Sequence, residues 1–147
     1  MSDHKDYSST PLWRKLGIRE GARVLCTRAP DGFDAELERL APLPPGVDRL
    51  RRPGPRAQKN LDVVVGFFTR RADLTERFPK LASAIAPDGR LWVAWPKKAA
   101  KLDTDLDFDA VHRIGLDAGL VDNKSASITD AFQGLQFVVR VKDRRVP

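Results

Sequence analysis

Sulfur and imidazole are scarce in this chain: one cysteine, Cys26, and two histidines, His4 and His112, among 147 residues. One thiol cannot close an internal disulfide, and these three residues cannot complete a four-coordinate zinc site. A secreted fold stapled by disulfides is therefore excluded. Apolar runs are short, well below the roughly 20 residues of a membrane-spanning helix. Met1 to Tyr7 is too polar and charged for a secretory signal. A cytoplasmic location is expected, with no membrane partner.

What is present is ordinary globular material. The chain is 41% hydrophobic and 31% charged, which suits a folded water-facing domain rather than a disordered one. A chain of this length buries roughly 68–70% of its unfolded surface as one domain, so neither disulfide nor metal is required. The formal net charge of +6 favours anionic partners.

The pattern alternates between strands and helices. Residues 1–9 read as a flexible tail. Thr10 is expected to cap a short helix that starts at Pro11 and stops at Gly17. Arg23 to Thr27 is the first strand, followed by a helix over Phe33 to Leu40 and a weak strand over Val47 to Arg51. Arg52 to Asn60 reads as a basic loop. Leu61 to Phe68 and Leu91 to Trp95 are apolar runs without alternation, as in strands buried on both faces.

Between those runs, Leu74, Phe78, Leu81 and Ile85 define one face of a helix over Ala72 to Ala86. Pro79 is expected to kink it, and Pro87-Asp88-Gly89 to form a turn. Thr104 is expected to cap a last helix ending near Ala118. Strands over Val121 to Ile128 and Leu135 to Val141 then form an antiparallel hairpin, and Lys142 to Pro147 a basic tail.

Strands alternating with helices imply parallel pairs with right-handed crossovers. The expected fold class is therefore α/β: a single three-layer Rossmann-like domain over residues 10–141, with a mostly parallel sheet of about six strands. The closing hairpin marks the methyltransferase variant, here with one βα unit missing from the first half.

Several motifs carry a family resemblance. Tyr7-Ser8-Ser9-Thr10-Pro11-Leu12, Lys15-Leu16-Gly17-Ile18, Ala86-Pro87-Asp88-Gly89 and Trp95-Pro96-Lys97-Lys98 resemble the bacterial domain-of-unknown-function family numbered 3052. Thr104-Asp105-Leu106 and Gly119-Leu120-Val121-Asp122 fit the same pattern. Ser9 and Ala99-Ala100-Lys101-Leu102 depart from it. The resemblance implies the fold and no chemistry.

A dinucleotide or S-adenosylmethionine site needs glycines straight after the first strand, where the backbone approaches the ligand. Here that place reads Thr27-Arg28-Ala29-Pro30-Asp31-Gly32, with one glycine and a stiffening proline. Arg51 and Arg52 stand where an acid would hold a ribose. No cofactor is expected.

In open α/β sheets ligands lie outside the carboxyl ends of the strands. Arg28, Thr69, Arg70, Lys97, Lys98, Thr104 and Asp105 all fall at such ends or at the next helix, and are the candidate residues for an anion. Arg49, Arg51, Arg52, Arg56 and Lys59 are the candidates for a nucleic-acid contact, although no aromatic residue interleaves them to stack bases. His112 lacks a visible catalytic partner and Cys26 lies in a buried strand, so no catalytic residue is expected. Trp92 and Trp95 are expected in the core, and Trp13 partly exposed.

The favoured reading is a non-catalytic Rossmann-like module that binds an anionic small molecule or a protein partner. The alternatives are a transferase, S-adenosylmethionine-dependent or otherwise, using the strand-end crevice, and a nucleic-acid-binding protein using the basic loop.

Overall fold

The computed structural model describes residues 10–50 and 60–144. Six strands form one sheet: β1 (Arg23–Thr27), β2 (Asp48–Leu50), β3 (Leu61–Phe67), β4 (Ile85–Pro96), β5 (Leu120–Ser127) and β6 (Phe132–Val139). Their order is β2-β1-β3-β4-β6-β5. The first four run parallel, while β6 pairs antiparallel with both β4 and β5.

Helices cover both faces. α1 (Leu12–Leu16) and α2 (Phe33–Leu37) pack with Val24, Val63, Val65, Trp92 and Ala94 on one side. α3 (Arg71–Ala84) and α4 (Phe108–Asp117) pack with Val64, Leu91, Val93, Trp95 and Phe137 on the other. Alternate residues of β3 and β4 thus serve opposite cores, which is why neither strand shows a polar side. Trp92 and Trp95 are buried as expected. The Trp92 indole donates to the Leu16 carbonyl at 3.0 Å and ties α1 to the sheet.

The chain leaves β1 toward β2 on one side and returns to β3 on the other. The strand order therefore reverses between β1 and β3. That point is where open α/β sheets place their ligands.

Several boundaries differ from the sequence reading. Pro11, not Thr10, holds the N-cap position of α1, with no side-chain cap bond, while Gly17 closes the helix at φ 89° as expected. α2 ends at Leu37 rather than Leu40. Helix α3 runs through Pro79 without a break. Pro79 and Thr75, whose carbonyl loses its partner, both lie on the exposed side of the helix, where water can serve that carbonyl.

The expected turn at Pro87 to Gly89 lies inside β4 as an irregularity: Leu61 faces Ile85, but Val63 already faces Arg90. Helix α4 starts later than Thr104 because Asp107 is its cap, accepting from the Ala110 N–H at 2.8 Å. β6 begins at Phe132, inside the expected loop. Residues 141–143 form a 3-10 turn. Residues 1–9 and 145–147 lie outside the described residues.

Candidate functional site

The residue after β1, Arg28, adopts φ 63°, a left-handed conformation that favours glycine. Its guanidinium lies 5.6 Å from the Phe68 ring centre and pairs with the Asp73 carboxylate in the first turn of α3. Asp73 also receives the Arg77 guanidinium at 3.0 Å. On the opposite face, Phe33 stands edge-on to Phe67 at 5.1 Å, and Phe67 to Phe132 at 5.3 Å, all three rings buried. The ends of β1 and β3 are thus tied by an ion pair on one face, while on the other face the three rings belong to the buried core beneath α1 and α2.

A second knot closes the start of α3. The Arg71 N–H donates to the Asp105 carboxylate at 2.6 Å, and its guanidinium to the Asp105 carbonyl at 3.2 Å. The Thr104 hydroxyl donates to the Thr69 carbonyl at 2.6 Å and accepts from the Leu106 N–H at 3.0 Å. Arg70 pairs with Asp103. Thr69, Arg70, Thr104 and Asp105 therefore lie together at the start of α3. Their polar groups are taken up by one another or by Arg71 and Asp103, and carboxylates already face the positive end of α3.

Lys97 and Lys98 belong to a different space. The Lys97 ammonium donates to the Ser127 hydroxyl at 2.7 Å. Lys98 is exposed and opens a 3-10 turn. Both line an open groove of about 1100 Å³ with Thr104, Asp105, Phe108 and Ser127. Leu102 and Phe108, 47% and 46% exposed, stand on its wall. Arg28, Thr69 and Arg70 do not line it.

Arg49 lies in β2, its side chain only 14% exposed and paired with Asp34 at 3.0 Å. Burial works against its charge, but Cys26 and the Asp34 carboxylate outweigh burial and hold its pKa above the usual arginine value. Arg51, Arg52, Arg56 and Lys59 lie outside the described residues. His112 does have a partner: its Nε2 lies 2.9 Å from the Asp122 carboxylate, under the Phe108 ring at 5.5 Å. Trp13 is half-buried and donates to the Ala41 carbonyl at 3.0 Å. Among the described residues no cluster of His, Cys, Asp or Glu suits a metal ion, and no helix is long and apolar enough to cross a membrane.

The sequence reading missed Asp73, Asp103 and Ser127, the partners of its own candidate cations. One signal was available: Asp73 stands in the first turn after Arg70-Arg71, where an acid meets the helix dipole.

No protein-family model and no curated protein matches the chain, so the resemblance to the family numbered 3052 finds no support there. Solved structures do match. A Bordetella parapertussis chain described as a possible exported protein aligns with TM-score 0.60 at 15% identity, over 87% of this chain and 65% of that one. A Haloferax volcanii complex of the Trm112 methyltransferase activator with a methyltransferase candidate gives 0.59 at 13%, over 87% and 86%. A SAM-dependent methyltransferase from Aquifex aeolicus gives 0.52 at 15%, over 93% and 97%. The fold is methyltransferase-like. At such identities the likeness carries the fold alone.

The residues at the β1–β3 reversal do not fit the adenosyl cofactor that this fold implies. The place where backbone would meet ligand is spanned by the Arg28–Asp73 pair, and the turn there carries arginine at left-handed φ.

Proposed function

We propose that the chain is a methyltransferase-like binding module that works without S-adenosylmethionine and takes an anionic ligand in the open groove at the end of β4. The observation that carries the first half is the Arg28–Asp73 pair across the reversal point. A turn that holds arginine at left-handed φ, followed by Pro30, leaves no glycine-lined cradle for an adenosyl or pyrophosphate group.

The second half rests on Lys97 and Lys98. Of the candidate cations, Arg28 and Arg70 are neutralised by carboxylates, whereas Lys97 is met only by a hydroxyl among its described hydrogen bonds. Its charge remains available for a phosphate or carboxylate. Exposed Leu102 and Phe108 supply an apolar wall for the remainder of the ligand. The motif resemblance to the family numbered 3052 agrees with such a fold without assigned chemistry.

A protein partner is the companion reading, and the Haloferax structure, a complex with an activator protein, supports it. The transferase alternative draws on the neighbours' descriptions and needs a cofactor seat that the β1–β3 crevice lacks. The nucleic-acid alternative loses Arg49 to its internal pairing with Asp34.

The test is a thermal-shift screen with nucleotides, phosphorylated metabolites and S-adenosylmethionine. A phosphorylated compound is expected to raise the melting temperature by mass action, an effect lost in Lys97→Ala. A rise with S-adenosylmethionine overturns the proposal.

A further inference from the structure

Strand β5 is the outer strand of the sheet. It pairs with β6, and among the described residues nothing pairs with its other edge. Its last residues, Ser125, Ala126 and Ser127, line two separate hollows at once. One is the Lys97–Phe108 groove on the α4 side. The other, of about 720 Å³, lies on the α1 side between β5 and Arg14, Lys15 and Thr10.

The pleat explains the sharing. Ser125 faces Leu135 and Ser127 faces Gln133, on the side of α3 and α4. Ala126 faces Gly134 and packs with the α1 core. A further strand laid along β5 continues this alternation and sends successive side chains into the two hollows in turn.

The hollows differ in chemistry. The charged residues lining the α1-side hollow are Arg14, Lys15 and Lys124, all cations, with no carboxylate among the described lining residues. The α4-side groove sets exposed Leu102 and Phe108 beside charges of both signs, Lys97 and Lys98 with Asp105, Asp107 and Asp109. Lysine on an outer strand also guards against indiscriminate pairing. Three cations with no carboxylate among the described lining residues make an acidic occupant the complementary one.

We propose that β5 accepts an extended segment of another protein as a seventh strand, with acidic side chains alternating with apolar ones. The acids face Arg14, Lys15 and Lys124, and the apolar residues enter the groove beside Leu102 and Phe108. Main-chain pairing supplies affinity and the two hollows supply selection, as in other strand-addition complexes. This inference is the protein-partner form of the binding reading above and shares one of its two hollows.

The experiment uses fluorescence anisotropy with a labelled peptide of about nine residues alternating Asp and Val. Binding is expected to weaken about tenfold or more in Arg14→Glu/Lys124→Glu, both exposed positions. The decisive probes are two further peptides, N-methylated either at every Asp or at every Val. Successive N–H groups of a strand point to opposite edges, so one methylated peptide is expected to bind the unaltered protein and the other to fail. Equal behaviour of the two, or equal binding of a peptide with its acids in one block, overturns strand addition. Titrations with phosphorylated compounds and S-adenosylmethionine on the same protein report on the earlier proposal separately.

Discussion

The Arg28 guanidinium and the Asp73 carboxylate pair across the point where the sheet reverses its strand order. Arg28 extends from the end of β1 over the Phe68 ring, and Asp73 stands in the first turn of the helix after β3. Two elements that flank a ligand in other open α/β sheets here hold each other.

Replacing Arg28 by glycine sets two effects against each other. It relieves the left-handed strain at φ 63°, about 1 kcal/mol. It removes an ion pair whose partners are 40% and 26% exposed, about 0–1 kcal/mol after solvent screening. Urea unfolding of Arg28→Gly is expected within about 1 kcal/mol of the parent. The variant is expected to gain no adenosyl binding, because Pro30 still stiffens the turn and one glycine in place of Arg28 does not rebuild a glycine-lined cradle.

Gly115→Ala tests the packing of α4 on the sheet. Alanine in a helix interior normally gains about 1 kcal/mol over glycine. Here the added methyl carbon runs into the edge of the Phe137 ring, and that ring is fully buried against Phe78. Overpacking of about 1–3 kcal/mol outweighs the propensity gain. A lower melting temperature is expected, and an unchanged or higher one contradicts the packing described.

The start of α4 is set by Asp107. Asp107→Ala is expected to lose about 1 kcal/mol in urea unfolding, and Asp107→Asn, which caps as well, only a few tenths. Equal losses in both variants contradict the cap assignment.

Trp92→Phe leaves the Leu16 carbonyl without its indole donor in a buried setting. The expected loss is about 1–3 kcal/mol, read as a drop in the denaturant midpoint with the slope unchanged. A loss below half a kcal/mol places the tie between α1 and the sheet elsewhere.

Much of the fold was legible because burial writes directly into composition. β3 and the second half of β4 are continuous apolar runs, and Leu74, Phe78 and Leu81 mark the buried face of α3. The start of α4 was not legible, since Thr104, Asp105 and Asp107 are all good caps and tertiary contacts decide among them. Thr104 and Asp105 are instead engaged with Thr69 and Arg71. Arg28, Thr69, Arg70 and Lys97 do follow β1, β3 and β4, but the residues that meet them were not legible. Asp73, Asp103 and Ser127 are distant in sequence from Arg28, Arg70 and Lys97, and only the assembled sheet brings them together. The Arg28–Asp73 tie across the reversal was visible in the sequence only as missing glycines.

Titration of S-adenosylmethionine into the unaltered protein, followed by calorimetry and thermal shift, shows whether the end of β1 can seat the cofactor. A ligand at a hundredfold excess over its dissociation constant adds about 2.7 kcal/mol of stability. The account predicts no heat of binding and no rise in melting temperature. A saturable heat with a matching rise, abolished by changes at Arg28 or Phe33, contradicts it.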